Sequence, residues 1–93
     1  MVFIWLNLKD RDIIEINKWF EEALNRLPTV DRKTKMRMRK KIRDEVYFLL
    51  TWEKPSPSMI MNRWEERISD FFKVMPYGLR DDLLHLLVAR MEQ

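Results

Sequence analysis

Asp31 to Trp52 read DRKTKMRMRKKIRDEVYFLLTW, and the two halves of this stretch differ in chemistry. Between Arg32 and Arg43 stand eight cations (Arg32, Lys33, Lys35, Arg37, Arg39, Lys40, Lys41 and Arg43) and no acid. The whole chain has eighteen Lys and Arg against fifteen Asp and Glu, net +3, so this segment carries +8 while the ten cations and fifteen acids elsewhere sum to −5. Met38, Ile42, Val46 and Leu49 follow at steps of four, four and three, which lines them up on one side of a helix and spreads the cations over the remaining arc. Beyond Val46 the apolar residues Tyr47, Phe48, Leu50 and Trp52 point all ways round, so that end is expected to be enclosed by other helices or by a second subunit.

The flanking segments supply packing partners. Ile13, Ile16, Phe20, Ala23, Leu24 and Leu27 fall at helical spacing after Asp10 or Asp12, and Asp12 with Glu15 has the spacing of a capping box with Asp12 as the cap. Trp19 lies at the flank of that stripe, and Pro28 ends the helix because it disfavours the α region in its predecessor. Asp31 or Thr29 then caps the basic helix. Ser56 followed by Pro57 marks the next start, and Met61, Trp64, Ile68, Phe71 and Met75 form the third stripe, with Phe72 broadening it. Pro76-Tyr77-Gly78 reads as a turn before a last helix whose Leu83, Leu84, Leu86, Leu87, Val88 and Met91 make an apolar face too broad for one buried side.

These spacings predict an all-α single domain over 1–93, a compact bundle of about four helices at about 11–27, 31–53, 57–75 and 79–91. Residues 2–8, VFIWLNL, are branched and aromatic and read as a short extended or strand-like arm. A single Gly and long runs of good helix formers agree with that class. With no Cys and one His, disulfides are excluded and a structural zinc site has no material; no metal or cofactor is expected. The N-terminal segment lacks a basic leader and is too short to span a bilayer, so the expected setting is intracellular, neither secreted nor membrane-bound.

Eight cations in twelve residues, several of them at the positive end of a helix dipole, repel one another and oppose the dipole. A row of phosphates would offset both penalties. The expected function is therefore non-enzymatic binding of RNA or DNA through the phosphate backbone, at residues Arg32, Lys33, Lys35, Arg37, Arg39, Lys40, Lys41 and Arg43. No Asn or Gln lies among them to read adenine, so charge and shape lead over sequence. The alternative is a protein-interaction module, an inhibitor or adaptor offering the same face to an acidic protein. A solvated face, or one paired with acids such as Glu21, Glu22, Glu65, Glu66, Asp70, Asp81 and Asp82, is the bland counterpart. A homodimer is expected from the broad face of the last helix, the apolar end of the basic helix and the arm.

Two short stretches resemble known families. A strand, a helix and a second helix with a basic start over Val2 to Trp52 resembles the ribbon-helix-helix repressors, whose paired strands enter the major groove. Here Phe3, Trp5 and Asn7 would occupy the groove-facing places where that family has polar or basic residues, and no Gly-containing turn joins the helices. Arg80-Asp81-Asp82-Leu83-Leu84-His85 resembles the R-x4-H motif of HEPN-family ribonucleases, which usually dimerise. That resemblance implies a catalytic pair, with Arg80 stabilising charge at the scissile phosphate and His85 transferring protons.

Overall fold

Helix α1, Asp10–Asn25, begins one turn earlier than Asp12 would dictate as a cap. Lys9 is the cap residue and has no side-chain acceptor, so Asp12 serves from inside the helix: its carboxylate takes the Lys9 backbone N–H at 2.9 Å. Four further helices follow: α2, Arg32–Phe48; α3, Pro57–Arg67; α4, Ser69–Val74; and α5, Tyr77–Val88. The computed structural model describes residues 8–27, 30–53 and 55–89, with Tyr77 given by its backbone alone. The arm at 2–8 lies outside the described residues except for Leu8, which packs against the core. The fold is all-α, and no strand occurs among the described residues.

The stripes predicted from spacing are the core. Ile13, Ile16, Phe20, Ala23, Leu24 and Leu27 of the α1 segment are all buried, as are Met38, Ile42, Val46 and Leu49 of α2 and Met61, Trp64, Ile68, Phe71 and Met75 beyond it. Phe20 stands at the centre, edge-on to Trp64 at 5.2 Å and to Phe71 at 5.5 Å between ring centroids. Such edge-to-face pairs add to what area burial alone provides. Trp19 flanks the stripe, half-buried, with its ring edge-on to Phe20. Each helix covers a face of this aromatic cluster: α1 packs on α2 and α5, and α3 on α2, α4 and α5.

Three further boundaries differ from the sequence expectation. The helix expected over 57–75 is divided at Ile68, whose φ of −123° and ψ of 44° leave the helical region. Ser69 and Asp70 follow it, residue types whose side chains compete for backbone partners, and Asp70 accepts the Phe71 N–H at 2.9 Å. The division keeps Trp64, Ile68 and Phe71 all facing the core. Secondly, α2 stops at Phe48 rather than near residue 53, where Thr51 donates its hydroxyl to the Phe48 carbonyl at 2.8 Å and closes the end. Lastly, Pro76 is the cap of α5, so Tyr77 and Gly78 begin that helix instead of forming a turn before it.

The expected enclosure of the apolar end of α2 is only half realised within the chain. Val46 and Leu49 are buried, whereas Tyr47, Phe48 and Leu50 remain 52%, 37% and 47% exposed. On α5, Leu83 and Leu87 face the core and Leu84 and Val88 face outward. No helix among the described residues is long and apolar enough to cross a membrane.

Candidate nucleic-acid interface

The basic half of α2 is anchored from both ends. Asp31 caps it, taking the Thr34 N–H at 2.7 Å, and opposes the cations of the first turn, which contains no acid of its own. Hydrogen bonds from the Thr34 side chain and backbone hold the Asp31 carboxyl below its usual pKa, with help from the charge of Arg37. At the other end the stripe Met38, Ile42, Val46 fixes which way the helix is rolled. At about 100° per residue, that roll turns Lys33, Arg37 and Lys40, together with the acid Asp44, toward the side opposite the core, and puts Arg43 on the flank beside α1. All four cations are exposed.

Not every predicted site residue is on offer. Arg39 donates from Nε to both carboxylate oxygens of Glu21 on α1, at 2.8 and 3.1 Å. Lys41 Nζ lies 3.5 Å from Asp70 at the start of α4. Two of the eight cations thus bind the helix into the fold. Arg32, Lys33, Lys35, Arg37, Lys40 and Arg43 make no ion pair with a described residue, and all but the half-buried Lys35 are exposed. Arg37 reaches only its own helix, 3.4 Å from the Thr34 hydroxyl. The steps Lys33, Arg37, Lys40 and Arg43 form a comb of about 15 Å along the axis, ten residues at 1.5 Å rise.

One charged residue that matters was not among the sequence candidates. Arg63 of α3 forms a two-pronged pair with Glu45 of α2, Nε to Oε2 at 2.7 Å and Nη2 to Oε1 at 3.4 Å. Its guanidinium also sits 3.8 Å from the centroid of the Phe48 ring and 5.9 Å from that of Trp52. The pair is largely screened from water, Glu45 being only 12% exposed. No local spacing could reveal it, since the partners are eighteen residues apart and on different helices.

The two residues of the ribonuclease-like motif lie on different sides of α5. Arg80 forms an ion pair with Glu65 of α3. His85 is exposed, and five residues along α5 put it about 140° round the helix from Arg80. The structure therefore does not bring the two together on one face of the chain. No group of three or more Asp, Glu or His side chains suited to a metal occurs among the described residues.

A surface groove of about 320 Å³ runs beside the comb, between α1 and α2. The antiparallel register that sets Glu21 against Arg39 carries Asn17 to the level of Arg43 and Ile14 to that of Tyr47, and all six residues line it. Comparison with protein-family models, with curated proteins and with solved structures gives no match to this chain.

Proposed function

We propose that the protein is a small non-enzymatic nucleic-acid-binding protein that contacts the phosphate backbone through α2, led by charge and shape. The observation that carries this reading is the comb of Lys33, Arg37, Lys40 and Arg43, exposed on α2 and in no ion pair with a described residue. A merely solvated helix face gains nothing from spacing four cations one turn apart, because like charges at that spacing are destabilising. Phosphates spaced along a strand turn that repulsion into attraction and release counterions. The reading carries with it an intracellular location.

Fluorescence anisotropy with labelled oligonucleotides tests it. Four phosphate contacts imply an affinity loss of about a hundredfold between 50 and 200 mM salt. Lys33→Glu combined with Lys40→Glu should abolish most binding at low salt. Absence of binding to any oligonucleotide at low salt, or no effect of the double reversal, would overturn the proposal.

A second reading is supported by Met36, 57% exposed, and Tyr47, which put apolar surface among the cations. That mixture also suits an acidic protein partner, and affinity capture with and without nuclease separates the two. We further infer a homodimer through the outward residues Leu84 and Val88 of α5. Sedimentation of the wild type against Leu84→Asp tests it.

A further inference from the structure

Resting on that proposed function, we infer that the groove between α1 and α2 is a nucleotide subsite, and that the nucleic acid bound is single-stranded. The comb alone would suit a duplex equally. What distinguishes the strands is the surface that continues from it. Tyr47 lies one turn beyond Arg43 on α2, lines the groove and is 52% exposed, so its ring is accessible to a ligand there. Opposite it on α1, Ile14 is 66% exposed, the highest value among the large apolar residues described. One turn along the groove, level with Arg43, the half-buried Asn17 amide makes no hydrogen bond with a described residue.

These groups are complementary to the parts of one nucleotide. A base has two apolar faces, and Tyr47 with Ile14 supplies apolar surface for them. The edge of a base carries donors and acceptors, and an amide presents both. A phosphate follows the base along the strand, and Arg43 stands at the groove in no ion pair with a described residue. The Arg39–Glu21 pair closes the far end and keeps Glu21 from repelling the phosphate. A duplex holds its bases stacked and paired, so it cannot place one in a groove of this kind without paying to flip it. A single strand can, and aromatic platforms beside a cationic track are how such strands are held.

Three probes decide the matter: a twelve-nucleotide single strand, a blunt hairpin duplex of the same sequence, and an acidic helical peptide, each labelled and titrated by anisotropy. The single strand is expected to bind about tenfold or more tightly than the duplex, and Tyr47→Ala to weaken it by about tenfold while Tyr47→Phe stays near wild type, as loss of one stacked base predicts. Duplex affinity should be unaffected by Tyr47→Ala. A strand carrying 4-thiouridine, irradiated and digested, should place the crosslink on the peptide containing Tyr47. Circular dichroism confirms that each variant is folded. Equal binding of both forms, indifference to Tyr47→Ala, or a crosslink confined to other peptides would overturn the subsite and leave backbone binding standing. Binding of the acidic peptide alone would overturn both.

Discussion

Arg39 gives its Nε–H to both oxygens of Glu21, joining α2 to α1 across eighteen residues of chain. The pair reports the register of the two helices, and it removes from the cationic face a residue that composition alone would count toward it. Glu21 is 41% exposed, so the link is weak in energy. A double-mutant cycle with Arg39→Ala and Glu21→Ala in urea should give a coupling of about 0.2–1 kcal/mol. Glu21→Gln, which frees the guanidinium, should strengthen oligonucleotide binding and steepen its salt slope by about 0.7, the value of one phosphate contact on a single strand. A slope unchanged or shallower would show that Arg39 lies out of reach of the ligand.

Arg63 is expected to matter more for stability than any residue of the comb. It serves Glu45 with two donors and lies against the Phe48 ring, and lysine can reproduce neither the fork nor the flat contact. Arg63→Lys should cost about 1–2 kcal/mol, and Arg63→Ala more, because Glu45 would be left poorly solvated and unpaired. Urea unfolding followed by circular dichroism measures both. If Arg63→Lys matched the wild type, charge alone would account for the contact.

Acid should weaken the cap of α2 in a defined direction. The Thr34 hydrogen bonds hold the folded Asp31 carboxyl below its ordinary value of 3.8. A group whose pKa is lower folded than unfolded stabilises the fold fully above the unfolded value and loses that contribution as pH falls through the folded one. The melting temperature of the wild type should therefore exceed that of Asp31→Ala at neutral pH, and the gap should narrow below about pH 4. Asp31→Asn, which keeps an acceptor without the charge, should lie between them at neutral pH and show no such narrowing. A gap independent of pH would exclude the carboxylate as its source.

Trp64 carries a hidden cost. It is fully buried, yet its Nε1 finds no acceptor among the described residues. Removing the whole side chain should cost about 3–5 kcal/mol. Trp64→Phe loses volume but also removes the unsatisfied donor, a relief of about 1–3 kcal/mol, so its net cost should be much smaller. Chemical denaturation compares the two, and a Trp64→Phe as damaging as Trp64→Ala would mean that the indole N–H is satisfied.

The dimer inference depends on the same balance of faces. Leu84 and Val88 are outward on α5 while Leu83 and Leu87, their immediate neighbours, are buried. Leu84→Asp should leave the thermal midpoint of a dilute monomer nearly unchanged, as surface substitutions generally do, and shift sedimentation toward one chain. Loss of folding instead would assign Leu84 to the core.

The helical faces were legible because burial follows a local period. Ile16, Phe20, Met38, Ile42, Trp64 and Leu83 could be assigned from steps of three and four, since the backbone alone puts such residues on one side. The division at Ile68 was not, because no Pro or Gly marks it and the competing partner is the Asp70 carboxylate, itself held from α2 by Lys41. The stop of α2 at Phe48 was equally hidden, as Leu49 and Leu50 are good helix formers and the closing bond comes from Thr51.

By itself the sequence determined the helical class, the buried stripes and the concentration of eight cations in α2, all of which depend on residue type and spacing along one chain segment. Which cations remain free was decided only in three dimensions. Arg39 and Lys41 are chemically indistinguishable from their neighbours until α1 and α4 bring Glu21 and Asp70 against them. Ion pairing depends on distances between helices set by the packing of Phe20, Trp64 and Phe71, and no period within a single helix encodes those distances.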